Sequence, residues 1–241
     1  MIRRLGDAGY GIWCWCTFVP LALVALVLAV PTPTVHLRRR IARRSARLFF
    51  GIAGIRLRVY GLDKLPEGPC VVVANHASYL DGVIMQAALP PRFAFVIKRE
   101  MLRMPLAATL LKRLGSEFVE RHDRQRGAAD ARRVMNTAAS GQAIAVFPEG
   151  TFQAEAGIGH FQAGAFMMAL HNGLPVVPAA IRGARWILPD RKFLPRPGAI
   201  EVEILAPLAV ETTADRETRT RLRDTARAAI IQAAREPDLL G

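Results

Sequence analysis

Cysteine and acidic residues are scarce in this 241-residue chain, and each scarcity removes a class of protein. Three cysteines, Cys14, Cys16 and Cys70, form no even disulfide framework, and none has partners at zinc-ligand spacing. All three read as small apolar residues. Twenty Asp and Glu stand against 33 Lys and Arg, a formal charge of +13, so an acidic solvating tail is excluded. No fixed-period repeat is present, which excludes a solenoid or fibre. No Ser lies in a Gly-x-Ser-x-Gly elbow, which removes the usual hydrolase nucleophile. With 51% apolar residues the chain can bury a core, and its length fits one α/β-sized domain with an appendage.

The charge is unevenly placed. Residues 1–60 hold ten Arg and one Asp, a balance of +9, whereas the remaining 181 hold 23 basic and 19 acidic residues, a balance of +4. That 29 of the 33 basic residues are Arg can reflect codon usage, but codon usage does not explain this clustering. A basic end faces an anionic surface, either nucleic acid or acidic lipid. No zinc pattern, helix-turn-helix signal or aromatic-studded basic strand accompanies it, so no nucleic-acid partner is expected.

Residues 11–30 contain no charge and as a helix extend about 30 Å, enough to cross a bilayer core. Trp13 and Trp15 suit the headgroup boundary, and Pro20 in the middle leaves a re-entrant or interfacial helix open. A signal peptide is the competing reading, from Arg3 and Arg4 before the run and Ala29 near its end. The length of the run, the two Trp and six Arg downstream (Arg38, Arg39, Arg40, Arg43, Arg44 and Arg47) oppose it. Residues 36–50 place Leu37, Ile41 and Leu48 at helical spacing among Arg, a pattern for a basic amphipathic helix on a membrane surface. Residues 1–50 therefore read as a membrane anchor and residues 51–241 as the domain it carries. The Arg excess after the apolar run puts that domain on the cytoplasmic side of the cell inner membrane.

From residue 55 onward, short β-rich apolar runs at 55–60, 70–74, 93–97, 118–120, 143–147, 176–181 and 200–205 alternate with helical patterns at 80–89, 105–114, 124–140, 161–172 and 214–235. This alternation predicts an α/β fold: a mixed, mostly parallel sheet flanked by helices, preceded by the membrane-associated helical segment. In such sheets the reacting groups gather where strands end. Two strands end on polar motifs, one at Asn75-His76 and the other at Pro148-Glu149-Gly150-Thr151, so both motifs are expected on one rim.

On an ideal helix His76 and Asp81 stand about 140° apart and cannot meet. If His76 belongs instead to the loop before the helix, its Nδ1–H can fold back onto the Asp81 carboxylate, leaving Nε2 as a base. A His with an Asp five positions on is also common as a structural pair. Ser78 is explained by helix capping. A base without a protein nucleophile points to a substrate hydroxyl attacking a thioester, with no acyl-enzyme.

Taken in order, Asn75-His76-Ala77-Ser78-Tyr79-Leu80-Asp81, Lys98 within Val-Ile-Lys-Arg-Glu, the GSEFVER block ending at Arg121, Phe147-Pro148-Glu149-Gly150-Thr151, and Val176-Val177-Pro178 resemble the motifs of the glycerolipid acyltransferase family, typified by 1-acyl-glycerol-3-phosphate acyltransferase. The resemblance covers about residues 55–205. It implies acyl transfer from acyl-CoA or acyl carrier protein as co-substrate to a lysophospholipid hydroxyl, most directly 1-acyl-glycerol-3-phosphate, with no cofactor and no metal. It implies His76 and Asp81 as catalytic dyad, and Asn75, Lys98, Arg121, Glu149, Gly150 and Thr151 as substrate-binding positions. Arg121 can clamp a phosphate or pair with Glu120 or Asp123, and Lys98 can serve an oxyanion or a phosphate, or join a solvated cluster with Arg99 and Glu100. Gly150 can simply permit positive φ.

One departure stands out: the family usually continues Gly-Thr-Arg where this chain has Phe152. The missing guanidinium leaves Lys98, Arg121 or Arg182 to hold a phosphate, or points to another acceptor such as a lyso-ornithine lipid. A non-catalytic lipid-binding protein of this fold and a thioesterase are the remaining alternatives. Oligomeric state is not legible. Met101, Met104, Met167 and Met168 suit either core packing or an acyl tunnel, and residues 211–241 read as a helix packed on the domain through Leu222, Ala226, Ile230 and Ile231.

Overall fold

The computed structural model describes residues 2–120, 124–152, 154–210 and 215–240, with the backbone alone at 2–5 and 124–128. Seven strands form one sheet: β1 (Arg56–Tyr60), β2 (Val71–Ala74), β3 (Phe93–Lys98), β4 (Glu117–Val119), β5 (Ala143–Val146), β6 (Val176–Arg182) and β7 (Ala199–Ile204). Their order is β1-β7-β6-β2-β5-β3-β4, and every pair is parallel except β6–β7. The apolar runs dictate this arrangement. All four residues of β2, VVVA, are buried, as a strand covered on both faces requires.

Alternate residues feed two cores. Val72 and Ala74 face the first, which is completed by α1 (Ile2–Ala29), α2 (Val35–Ile52), α3 (Asp81–Ala88) and the short α7 (Ala184–Ile187). Val71 and Val73 face the second, beneath α5 (Arg124–Ala139), α6 (Gly164–His171) and α8 (Arg216–Ala234). On α8 the buried stripe is Thr218, Leu222, Ala226, Ile230 and Ala234, with Ile231 only partly covered. The remaining helix, α4 (Pro105–Arg113), opens with proline at its first turn and packs on α1.

The helix α1 runs through Pro20 without a break and is long enough to cross a bilayer by length and composition over Gly6–Ala29. It packs on α2: Cys14, Ala25 and Ala29 are buried, and the Tyr10 hydroxyl donates to the Ala53 carbonyl at 2.8 Å. Most of its large apolar side chains face outward.

On α2 the buried stripe differs from the apolar stripe of the sequence. Arg39, Ala42, Ala46, Phe49 and Phe50 face the core, while Leu37 and Leu48 are exposed beside Arg40, Arg44 and Arg47. The Arg39 guanidinium is buried on carbonyl dipoles, donating to Leu114 at 2.8 Å and Arg92 at 3.0 Å, and to the Gln142 side chain at 3.2 Å. Burial without a carboxylate lowers its pKa to about 10. Cys14 and Cys70 are buried, Cys16 is exposed, and all three are free thiols.

Candidate active site

The parallel pairing β3–β5–β2–β6 carries the ends of these strands to one rim, where Lys98, Phe147, Asn75 and Arg182 follow or close them. The β2–β5 pairing sets Val73 beside Val146, so His76 and Glu149, each three residues further on, emerge together.

His76 lies in the loop between β2 and α3, and Asp81 is the first residue of α3. That one-turn offset solves the angular problem of the sequence. His76 Nδ1 stands 2.8 Å from Asp81 Oδ2. The same oxygen accepts the backbone N–H groups of Ala77 at 2.6 Å and Ser78 at 2.8 Å. Oδ2 gathers these N–H groups as an acceptor, so in the neutral ring Nδ1–H is the donor to it and Nε2 keeps its lone pair. The Asp81 side chain is fully buried and that of His76 is 14% exposed, enough for the ring edge to be reached.

Aromatic rings complete the surroundings of the imidazole. Phe147 stacks on His76 at 4.5 Å between ring centroids, Phe152 meets it edge-on at 4.8 Å, and Tyr79 meets Phe152 at 4.7 Å. These contacts fix the ring plane.

The other expected positions divide into two kinds. Asn75 does not open toward a ligand: its amide donates to the Ile181 carbonyl at 3.0 Å and accepts the Ile181 N–H at 2.7 Å, buried between the ends of β2 and β6. Glu149 likewise turns inward, accepting the His76 N–H at 2.7 Å and the Gly159 N–H at 3.0 Å, one on each oxygen. Burial raises its carboxyl pKa, and the two amide donors offset part of that rise. Both residues hold the loops that present His76. Gly150 closes the turn, its N–H donating to the Phe147 carbonyl at 3.0 Å, with φ +82°, a region that glycine enters without steric cost.

Lys98 and Thr151 face outward, the Lys98 Nζ donating to Thr151 Oγ1 at 2.7 Å. Arg121 lies outside the described residues. Arg182 is committed elsewhere: its guanidinium contacts Glu203 at 2.8 Å, Glu201 at 3.2 Å and the Ala233 carbonyl at 2.6 Å, which removes it as a phosphate ligand. Ser78 is buried, accepting the Leu80 N–H and donating to the Leu188 carbonyl at 2.7 Å, so its hydroxyl is structural.

Behind Lys98, Arg99 grips the buried Asp130 through both carboxylate oxygens, and Asp130 also accepts the Glu120 N–H at 2.9 Å. Burial alone raises the Asp130 pKa, but these bonds and Arg133 outweigh it and hold the carboxyl below its usual range. The ends of β3 and β4 are thereby tied together. Met168 is buried in the second core, whereas Met104 and Met167 are exposed.

Gly159 and the contacts of Phe147 and Phe152 with His76 escaped sequence reasoning. Gly159 is ten residues from Glu149 and carries no side-chain signal. Phe147 was legible as the end of a strand and the start of a motif block, not as a ring stacked on His76. Among the described residues no three His, Cys, Asp or Glu side chains converge as a metal site.

Residues 56–182 match the sequence profile of the family described as Acyltransferase. The chain is 29% identical over 187 residues to the 1-acyl-sn-glycerol-3-phosphate acyltransferase BAT2, chloroplastic, of Brassica napus, covering 73% of this chain and 54% of that protein. It is 31% identical over 201 residues to 1-acyl-sn-glycerol-3-phosphate acyltransferase alpha of Mus musculus, covering 78% of this chain and 69% of that protein. The chain thus spans about half the length of the Brassica protein. The fold is shared with the crystal structure of the 1-acyl-sn-glycerophosphate acyltransferase PlsC from Thermotoga maritima, with a TM-score of 0.77 at 21% identity, covering 96% of each chain.

Proposed function

The chain belongs to the acyltransferase family, and from that membership we propose that it moves a fatty acyl group from acyl-CoA or acyl carrier protein to the hydroxyl of a lysophospholipid, with 1-acyl-glycerol-3-phosphate as acceptor and phosphatidic acid as product. The observation that carries this reading is the His76–Asp81 pair in the loop after β2, with the His76 side chain partly exposed and Asp81 buried behind it. Nε2 takes the hydroxyl proton as the acceptor oxygen attacks the thioester carbonyl. The buried Asp81 carboxylate stabilises the imidazolium that forms. Collapse of the tetrahedral intermediate breaks the carbon–sulfur bond, and the departing thiolate recovers the proton from Nε2. No covalent enzyme intermediate enters.

Lys98, with Thr151 bonded to it, stands on the same rim for the headgroup phosphate or the oxyanion, and Arg121 is assigned to the phosphate. Asn75, Glu149 and Gly150 act through the loops they hold. The domain works on the cytoplasmic face of the inner membrane, with residues 1–50 as its anchor. Support for that location comes from the exposed apolar side chains of α1 and from Leu37 and Leu48 among the Arg residues of α2.

A second reading, an acceptor without a phosphomonoester, rests on Phe152. It places a ring against His76 and Tyr79 where the family usually carries a guanidinium. Purified protein incubated with labelled acyl-CoA and a panel of lysolipids separates the readings. Phosphatidic acid as main product supports the first, and an acylated phosphate-free lipid supports the second. His76→Ala protein, folded by circular dichroism, loses product in either case. Turnover retained in that variant rejects the dyad, product from no acceptor favours a binding protein, and free fatty acid released without lysolipid marks a thioesterase.

A further inference from the structure

Between α7 and β7 the chain makes an excursion over residues 188–198 that the chemistry above does not use. It is a closed loop and not a loose strap. The Arg196 N–H donates to the Ile187 carbonyl at 2.8 Å, the Lys192 N–H to the Pro189 carbonyl at 3.2 Å, and the Trp186 indole N–H to the Pro197 carbonyl at 3.3 Å. At its tip stand two large apolar side chains, Phe193 at 76% exposure and Leu194 at 42%. Such groups held rigidly in water are unfavourable unless something covers them.

Three observations name the cover. First, the loop is fastened to the apolar helix: the Trp15 indole N–H of α1 donates to the Phe193 carbonyl at 2.6 Å, and α1 approaches so closely at Gly11 that a Cβ there would lie 2.6 Å from the Leu194 Cβ. The tip therefore continues the exposed apolar surface of α1. Second, Arg191 and Lys192, both exposed, immediately precede the apolar pair, and the Arg196 guanidinium lies over the exposed Trp186 ring at 5.4 Å. Apolar tips rimmed by cations and an indole match the depth profile of an anionic leaflet: hydrocarbon, headgroup boundary, phosphate. Third, the start of the loop is tied to the dyad. The Leu188 carbonyl accepts the Ser78 hydroxyl, and the Ser78 N–H bonds to Asp81.

We propose that residues 188–198 form a membrane-contact element in addition to α1, inserting Phe193 and Leu194 into an anionic lipid leaflet and seating the mouth of the His76 site on the surface from which a lipid acceptor is drawn. The last clause rests on the function proposed above. The insertion itself does not. The contact is polar at its rim and apolar at its centre, and it uses a different part of the chain from the Arg-rich α2.

The test uses the full chain without substrates, so its outcome is independent of turnover. In a Cys16→Ser background, where the remaining thiols Cys14 and Cys70 are buried, Phe193→Cys is labelled with an environment-sensitive nitrobenzoxadiazole dye. Asp224→Cys on α8, which covers the opposite core, is the control. Vesicles of phosphatidylcholine and phosphatidylglycerol carry acyl-chain spin labels. The expected result is blue-shifted, quenched emission at position 193 and unchanged emission at 224. In the protein labelled at position 193, Leu194→Asp and, separately, Arg191→Glu, Lys192→Glu are each expected to lessen the blue shift and the quenching. Emission at 193 as water-exposed as at 224 overturns the proposal even if acyl transfer is intact. So does protection that appears without vesicles and rises with protein concentration, which assigns the face to a second copy of the chain.

Discussion

Replacing Asp81 by Asn tests the dyad with the least disturbance of shape. The carboxylate Oδ2 receives His76 Nδ1 at 2.8 Å and the N–H groups of Ala77 and Ser78 at 2.6 and 2.8 Å, while Oδ1 is buried and accepts nothing among the described residues. An asparagine that puts its oxygen in the Oδ2 position keeps all three bonds. Its NH2 then occupies the Oδ1 position, a buried donor without an acceptor, which destabilises the fold by about 1–3 kcal/mol. The opposite orientation sets a donor against three donors and is worse. The protein therefore stays folded with a lowered Tm.

Catalysis suffers more than the fold. In the proposed mechanism the imidazolium formed when Nε2 takes the acceptor proton would lose its buried negative partner, a loss of about 3–5 kcal/mol, which corresponds to about 10²–10⁴ in kcat. Because Asp81 is fully buried, KM for either substrate should hold within about threefold, the signature of an interaction made in the transition state. Steady-state thiol release from acyl-CoA, measured beside a thermal melt, separates the two effects. A variant with kcat within about threefold of the parent, or a loss confined to KM, refutes the assignment of Asp81 as the partner of a catalytic base.

Two further changes probe the residues around the dyad. Because Glu149 has a raised carboxyl pKa in the folded protein, the fold binds this proton more readily than the unfolded chain does. Stability therefore falls as pH rises from the ordinary value of 4.5 through the raised one. Glu149→Gln removes that slope, so unfolding curves at about pH 4 and about pH 7 should show the variant gaining on the parent at the higher pH. Its activity should drop about tenfold, because one of the two amide N–H groups then faces an NH2. A difference in stability that moves the other way refutes the buried-carboxylate account. Phe152→Arg restores a cation beside His76. It should lower KM for 1-acyl-glycerol-3-phosphate by about 10-fold to 100-fold while losing about 0.5–1.5 kcal/mol of ring contact. An equal effect on phosphate-free acceptors counts against any headgroup role for this position.

Local pattern was enough for the strands and the α/β layering. β-branched apolar runs such as VVVA at β2 have few alternatives to a buried strand, and parallel pairing of β2 with β5 brings two sequence motifs to one rim. The His76–Asp81 contact was conditional on where the helix begins, because a shift of one residue turns a side chain by about 100°. Pattern also failed in a consistent way. Arg39 is buried on four oxygen acceptors supplied by residues 53 to 103 positions away, Asn75 is spent on Ile181, 106 positions away, and Arg182 on Glu201 and Glu203.

Glu149 shows the reason most plainly. As a residue type it can hold a substrate hydroxyl or a backbone amide, and only the packing of the loop around Gly159 against the end of β2 selects the amides. The loop at 188–198 is the same case on the surface, since Phe193 and Leu194 acquire meaning only when Trp15 and Gly11 are found beneath them. Hydrophobic periodicity and turn chemistry act between near neighbours and can be read along the chain. The partner of a polar side chain is chosen by distances between segments far apart in sequence, and those distances exist only once the sheet has assembled.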